Sequence, residues 1–600
     1  MKLKHYLVDF WDKLILVREK IVNRIDRGIL LTLFIGFALV IYQIGFPKEK
    51  SVEVTVLKIL KEIPWLAMVL YLAKWLLTTY IKKKPKLIDR QHFPDLLFAA
   101  LLFLYERGRH WVDIVDQSWF LYIMLAVFFV VRVMRDGAII KSKRMTPSVL
   151  FVVSFAMLIF VGTAMLLIPD ATNHDMSFVD ALFTATSAVC VTGLTVVDTA
   201  SAFTVIGKDM LLVLIQIGGL GLMTFTNFFA ILFKGGMSFR NHLILNDIIQ
   251  ADKPNSLFAT LIKIFVYTLV IEALGVFFIH LVSSEKFFTS SGDSWMFSVF
   301  HSVSAFCNAG FSTLPDGLFN LSFRYNYSFQ IVICLLVILG GIGFPVVIDL
   351  YNSVKRFVKL IIRWLFFKEP VVLLSRNLSV HSRLVLTSTS ILLVLGTVVY
   401  FITEYNNSLR AHPSLYGKWV QAFFGSVTPR TAGFNTVDMG GLMQGTVLIY
   451  LLLMWIGASP SSTGGGIKTT TFTIAISNIV SQARGKDRLE LFRRQVTDTS
   501  IKRAFAIIFL SLLIIGLSVF LVSIFEPGTE LTRIAFECFS AYSTVGLSMN
   551  LTPNLSTASK VVLIVTMFLG RVGMFTLLFG IFKEKSTQVH QYPKENVLIV

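Results

Sequence analysis

Charge is scarce in this chain. Only 15% of its 600 residues are Asp, Glu, Lys or Arg, and just 36 of them are acidic. A soluble globular domain is about a quarter charged, so this chain has too little polar surface to cover itself in water. Cysteine is nearly absent too. Cys190, Cys307, Cys334 and Cys538 lie within or beside apolar stretches and share no metal-ligand spacing. They read as buried small hydrophobes, with no disulfide framework. The ten histidines are scattered, no His-Glu-x-x-His or Cys/His cluster exists, and no dinucleotide fingerprint is present. No catalytic residues are expected. What is abundant is apolar: 55% hydrophobic residues, 13% aromatics and a mean hydropathy of +0.71. Such a chain belongs in lipid.

Stretches long enough to cross a bilayer, about 20 apolar residues each, recur along the sequence. Four fall before residue 140, near 28–46, 63–81, 93–112 and 118–134, preceded by a basic amphipathic start and no signal peptide. Eight more follow near 147–169, 203–233, 256–283, 327–350, 382–403, 442–480, 503–525 and 557–582. The connections near 234–263, 352–383 and 481–503 carry 4, 7 and 7 Lys/Arg, while those near 170–202, 284–326, 404–441 and 526–556 carry 0, 2, 3 and 1. By the positive-inside rule the first set is cytoplasmic, and so are both termini. The net charge of +19 is then mainly an orientation signal, and a nucleic-acid partner loses its support.

Each of the four outer connections holds a helical stretch too short to cross, followed by a related motif. They read FTATSAVCVTGLT (183–195), FHSVSAFCNAGFS (300–312), FFGSVTPRTAGFN (423–435) and ECFSAYSTVGLS (537–548). Aligned on Gly193, Gly310, Gly433 and Gly546, all four continue with Leu or Phe and then a small polar residue. Three have Ser six residues before the glycine (Ser187, Ser304, Ser540), and the third departs with Val427. A second landmark sits in the following span: Gly218-Gly219, Gly340-Gly341, Gly457-Ala458 and Gly570-Arg571, between 24 and 30 residues after the first glycine. A repeat at two landmarks outranks local readings. The expected fold is an all-α polytopic membrane protein with four pseudo-symmetric helix–pore helix–helix repeats around one central pore, behind an N-terminal helical block. Its divisions are 1–144, 145–250, 251–378, 379–498, 499–583 and a tail over 584–600.

Short helix, extended loop and glycine, four times over, fit the dehydration of a cation. Backbone carbonyls on one axis replace lost water without fixed countercharge. Glycine permits the required backbone angles and close approach, and half-helix C-termini favour positive charge. The candidate cation-binding residues are Val191, Thr192 and Gly193; Asn308, Ala309 and Gly310; Thr431, Ala432 and Gly433; and Thr544, Val545 and Gly546.

From about 145 to 583 the chain resembles the Trk/Ktr/HKT superfamily of potassium transporters, on TSAVCVTGLT, HSVSAFCNAGFS, SVTPRTAGFNT and SAYSTVGLS, together with QIGGLG (216–221), GASPSSTGGGIKTTT (457–471) and GRVG (570–573). The resemblance implies potassium uptake across the plasma membrane of a bacterial cell, with potassium bound in the filter. A secondary transporter coupling potassium to sodium or protons is the alternative. Gly193, where sodium-transporting plant members tend to have serine, implies potassium preference. The resemblance also implies a homodimer and, in trans, a cytoplasmic nucleotide-binding regulatory subunit. The basic inner loops at 355–376 and 484–503 are expected either to dock that subunit or to touch anionic lipid.

The third repeat's second span is interrupted between Gly457 and Lys468 by Pro460, Gly464, Gly465 and Gly466, which cannot continue a lipid-facing helix. Broken backbone at membrane depth lines a cavity, and in the resembled family this stretch is a loop that obstructs the path and moves on opening. A phosphate loop is excluded, because Ile467 separates the glycine from Lys468 and no strand precedes. Arg571 is the other expensive residue, at about 2.5–3.5 kcal/mol on insertion scales. It is expected to face the pore side and to interact with carbonyls of the 457–468 loop or with the path itself, adding an electrostatic barrier. Arg430 reads as a structural charge near the outer mouth, and Arg132 with Arg135 as a cytoplasmic anchor.

Overall fold

The computed structural model describes residues 2–46, 50–80, 93–108, scattered positions from 118 to 132, 147–232, 257–283, 291–367 and 378–573. The basic stretch 234–256, the expected end of the last span over 575–582 and the tail 584–600 lie outside the described residues. The chain divides into two compact units, residues 1–143 with 168–170, and 144–167 with 171–600.

In the first unit, α1 (Lys2–Gly45), α2 (Lys50–Tyr80), α3 (Phe93–Gly108) and helical positions through Arg132 surround an apolar interior built from Ile29, Leu33, Ala67, Tyr71, Leu102 and Phe128. One end of that interior is ionic. The ammonium of Lys74 lies 2.6 Å from Asp26 and 3.1 Å from Asp95, and the Arg132 guanidinium lies 2.6 Å from Asp26 and 5.8 Å from the centre of the Tyr71 ring. Arg132 is only 1% exposed. It is therefore an internal partner in a quartet of two carboxylates and two bases, a pairing that sequence did not indicate, while Arg135, read with it as a cytoplasmic anchor, lies outside the described residues.

The second unit contains four similar substructures. The first is α4 (Pro147–Leu166), α5 (Phe178–Val189) and α6 (Val205–Leu232). The second is α7 (Leu257–Ser283), α8 (Ser291–Cys307), α9 (Tyr327–Ile342) and α10 (Phe344–Phe367). The third is α11 (Val380–Glu404), α12 (Leu415–Val427), α13 (Gln444–Trp455) and α14 (Thr469–Ala483). The fourth is α15 (Asp498–Phe525), α16 (Leu531–Ser543) and α17 (Thr557–Val572). Serine starts several of these helices. Ser177, Ser379, Ser414 and Ser556 each accept a first-turn amide that would otherwise be orphaned. Large apolar side chains such as Phe160, Phe265, Leu274, Val394 and Phe509 are exposed, as lipid-facing residues are.

The short helices pack in a cycle: α8 against α6, α12 against α9, α16 against α13, and α5 against α17. An ion pair at 2.7 Å between Lys560 on α17 and Asp180 on α5 spans the seam between last and first. The glycine pairs explain their own spacing. A Cβ at Gly218, Gly340 or Gly570 would strike the carbonyl oxygen of Val189, Phe306 or Tyr542, in each case the residue four before that repeat's loop glycine. Only glycine lets the long helix seat against the end of the short one.

One sequence expectation fails. The span read as 327–350 is broken at Gly343, where φ is +92° and α10 leaves α9 at 104°. Hydropathy runs through the break, but Pro345 marks it, since proline suits the first turn of a new helix.

The ionic quartet makes a testable prediction. Asp95→Ala leaves a buried cation short of a partner and is expected to destabilise the first unit by about 3–5 kcal/mol. The double substitution Asp95→Leu/Lys74→Met should recover much of the loss in thermal denaturation of the purified protein.

Candidate functional site: a ring of four glycine loops

Each short helix ends by folding its chain back on itself. The amides of Thr192, Ala309 and Val545 donate to the carbonyls of Ser187, Ser304 and Ser540 at 2.7, 2.7 and 2.9 Å, and Ala432 donates to Thr428 at 3.0 Å. The residue two before each glycine is left-handed, with φ of 56° at Val191, 60° at Asn308, 66° at Thr431 and 50° at Thr544. The β-branched Val191, Thr431 and Thr544 are strained in that region, which Asn308 tolerates more readily. The glycines themselves have φ of 91°, 69°, 78° and 93°. This shared backbone shape defines the site.

The loops close into a circle. A Cβ on Gly193 would overlap the carbonyl of Ala309, one on Gly310 would lie 2.9 Å from the Ala432 carbonyl, one on Gly433 would overlap that of Val545, and one on Gly546 that of Thr192. The order runs first to second to third to fourth and back to the first, and the same Cβ would also lie 2.9 to 3.2 Å from the next glycine's Cα. Glycine is thus required twice, for its φ and because the next strand's carbonyl occupies the place of a side chain. A cavity of about 390 Å³ opens on one side, lined by all four glycines with Thr195, Ser312, Asn435 and Ser548.

Hydroxyls of the short helices hold the ring. Ser187 and Ser540 accept the amides of Gly193 and Gly546 at 3.1 and 3.0 Å, and Ser304 donates to the Phe311 carbonyl at 2.8 Å. In the third repeat, where Val427 stands in place of serine, Thr428 donates to the Phe434 carbonyl at 2.5 Å. Buried polar residues that sequence reading did not single out clamp the chain just beyond. His301 Nε2 lies 2.9 Å from the Ser312 hydroxyl, and Gln421 donates to Thr436. Glu537, fully buried, accepts from the Ser548 hydroxyl at 2.5 Å, the Met549 amide at 3.0 Å and the Thr552 hydroxyl at 2.6 Å. The signal was present, since Glu537 and His301 both stand nine residues before their glycines.

On the other side of the ring lies the broken segment. Between α13 and α14 the chain leaves helix, with Ile456 and Ile467 bridged in parallel. A Cβ on Gly464 or Gly465 would overlap the Thr431 or Thr544 hydroxyl, and Gly466 abuts Ser543, so the loop lies directly against the ring. Gly457 sits on the Gly465 backbone. The Pro460 carbonyl fills the space beside Gly343, and the amides of Ser459, Thr463 and Phe344 bond to Gly341, Gly340 and Ser461 at 3.0, 3.3 and 3.1 Å. Lys468 turns back, donating to the Gly464 carbonyl at 2.7 Å. Arg571, 3% exposed, donates to the Thr463 carbonyl and, at 2.7 Å, to that of Gly218. It ties the loop to α6. Arg430, placed by sequence near the outer mouth, instead lies buried beside a cavity of about 20 Å³ with Gly341, Ile342, Thr389 and Ala458, on the loop side.

Residues 114–590 match the family described as TrkH, cation transport protein. The chain belongs to the TrkH family. It is 36% identical to Ktr system potassium uptake protein B of Bacillus subtilis over 465 residues, covering 77% of this chain and 99% of that protein. It is 34% identical to the potassium/sodium uptake protein NtpJ of Enterococcus hirae, covering 76% and 98%. The crystal structure of the potassium transporter TrkH from Vibrio parahaemolyticus superposes with a TM-score of 0.54 at 18% identity, over 87% of this chain and 97% of that one. This is a likeness of fold. The polytopic helical membrane architecture is thus shared, while the first 113 residues lie before the TrkH match.

Glu537→Ala strips an acceptor from three buried donors, at about 1–3 kcal/mol for each group left unsatisfied. Its melting temperature should fall well below that of Glu537→Gln, which keeps one carbonyl acceptor.

Proposed function

We propose that this TrkH-family chain takes up potassium across the plasma membrane, with the four-loop ring as its selectivity filter. The observation that carries this reading is the closed circle of carbonyls and glycines, in which Ala309, Ala432, Val545 and Thr192 each present an oxygen beside the glycine of the repeat before, Gly193, Gly310, Gly433 and Gly546 in turn. Such a ring offers a dehydrated monovalent cation several oxygens and no fixed charge. The relatives' names, potassium uptake protein B and potassium/sodium uptake protein, agree with that cargo. Potassium here is the transported ion.

The 457–468 loop acts as the gate, and Arg571 as its latch. With the loop pressed on Thr431 and Thr544, ions leaving the ring meet Gly464 and Gly465. Opening requires the loop to withdraw, breaking the Arg571–Thr463 contact. Asymmetry of Lys and Arg orients the 390 Å³ cavity outward and both termini into the cytoplasm, in a bacterial inner membrane. A homodimer with a nucleotide-binding regulatory subunit on its cytoplasmic side completes the system, by analogy with the resembled family. The chain's own sequence holds no nucleotide fingerprint.

Potassium-loaded proteoliposomes containing the purified chain should accumulate tracer rubidium, drawn in by the inside-negative potential that the outward potassium gradient sets up, with or without sodium. Strict dependence on a sodium or proton gradient would establish a coupled transporter. Gly433→Ala should abolish uptake, because its methyl displaces the Val545 carbonyl. Arg571→Ala should raise the flux several-fold, and an unchanged flux would remove Arg571 from gating.

A further inference from the structure

The helix that the break at Gly343 creates has no place inside the protein. After turning through 104°, α10 runs 24 residues, about 36 Å at the usual helical rise. Beyond Leu350 nearly every described side chain is exposed or half-exposed, so this segment projects from the body. Its two sides differ in chemistry. Tyr351, Val354, Phe357, Val358 and Ile361 recur at three- and four-residue spacing on one face and are 43% to 59% exposed. Asn352, Lys355, Arg356 and Lys359 occupy the opposite face, and the sequence contains no acidic residue from 350 to 368. A spanning helix could not carry that basic stripe, and a helix wholly in water would not expose that apolar one. The boundary between lipid tails and headgroups satisfies both.

We propose that α10 is an in-plane membrane arm whose basic face binds anionic phospholipid headgroups in the inner leaflet. The proposal rests on the membrane orientation given under Proposed function, and it assigns to lipid the basic segment that sequence alone left between lipid and a protein partner. The right-angle turn from a spanning helix aims α10 along the membrane plane. Its apolar side then enters the acyl boundary while Lys355, Arg356 and Lys359 reach the phosphates. Both ends of its root are fixed to the transport unit. The Phe344 amide bonds to Ser461 of the gate loop at 3.1 Å, and Asp349 accepts the hydroxyls of Ser379 and Ser382 at 2.6 Å each. Lipid that draws on the arm therefore pulls on the segment next to the loop.

The native cysteines are all buried, so Val354→Cys in the full chain can be labelled selectively with a bimane fluorophore. In phosphatidylcholine liposomes containing equal fractions of brominated phosphatidylglycerol or brominated phosphatidylcholine, the label should be quenched by both and more strongly by the anionic lipid. An Asn352→Cys label should be quenched by aqueous iodide. One basic residue near an anionic surface is worth about a fivefold change in binding, so the preference should be roughly fivefold or more. In the Lys355→Gln/Arg356→Gln/Lys359→Gln background it should fall toward unity while lipid quenching persists. Equal quenching by the two lipids with the charges intact would overturn the proposal. So would a label at 354 that no bromolipid reaches, the outcome expected if a second copy covers this face. The readout needs no ion gradient, so it stands or falls independently of rubidium uptake.

Discussion

Four backbones meeting at van der Waals distance around one axis is the constraint on which the rest of this protein depends. The carbonyl that precedes each glycine occupies the space where the neighbouring glycine's side chain would be, so no loop can hold its shape without the next. A ring of this kind has no strand ladder to support it and places two positive-φ residues, separated by one other, in every loop. Its strain is borne by the short helices behind it. They return their C-terminal carbonyls to the loop amides and lend it Ser187, Ser304, Thr428 and Ser540.

The same demand for closeness spreads outward. Gly218, Gly340 and Gly570 exist because the long helices must touch the short-helix ends that aim at the ring. Where a long helix carries no such continuous contact, as between Trp455 and Thr469, the freed backbone turns inward and covers the ring from the other side. Arg571 is affordable at membrane depth because two backbone carbonyls, from Thr463 and Gly218, receive its guanidinium. A charge placed there by lipid-facing chance would have no such partners.

Much of this was legible in one dimension. Glycine whose Cβ position a neighbouring carbonyl fills admits no other residue, and four such glycines at one period, each followed at near-constant distance by a second, point to the repeat and to the loops that the structure brings together. Hydropathy could not find the break at Gly343, because the apolar run continues through Phe344 to Ile348. Nor could it find the clamps. Glu537 and His301 are single polar residues on short helices, and only their equal distance from the glycine links them. The substitution of Thr428 for the missing serine needed the helix geometry, which brings a hydroxyl one position later onto the same carbonyl-rich edge. Asp26, Asp95 and Arg132 each look like an ordinary charge near the end of a span, and Lys74 like a lone charge within one; only packing turns them toward one another.

A ring that strips the cation of its water must hold that cation on its axis. A crystal or cryo-cooled structure of the protein in rubidium, with anomalous scattering recorded at the rubidium edge, tests this most directly. Anomalous density is expected on the axis between Gly193, Gly310, Gly433 and Gly546. Density confined to other positions, or a ring whose axis holds none while transport persists, would contradict it.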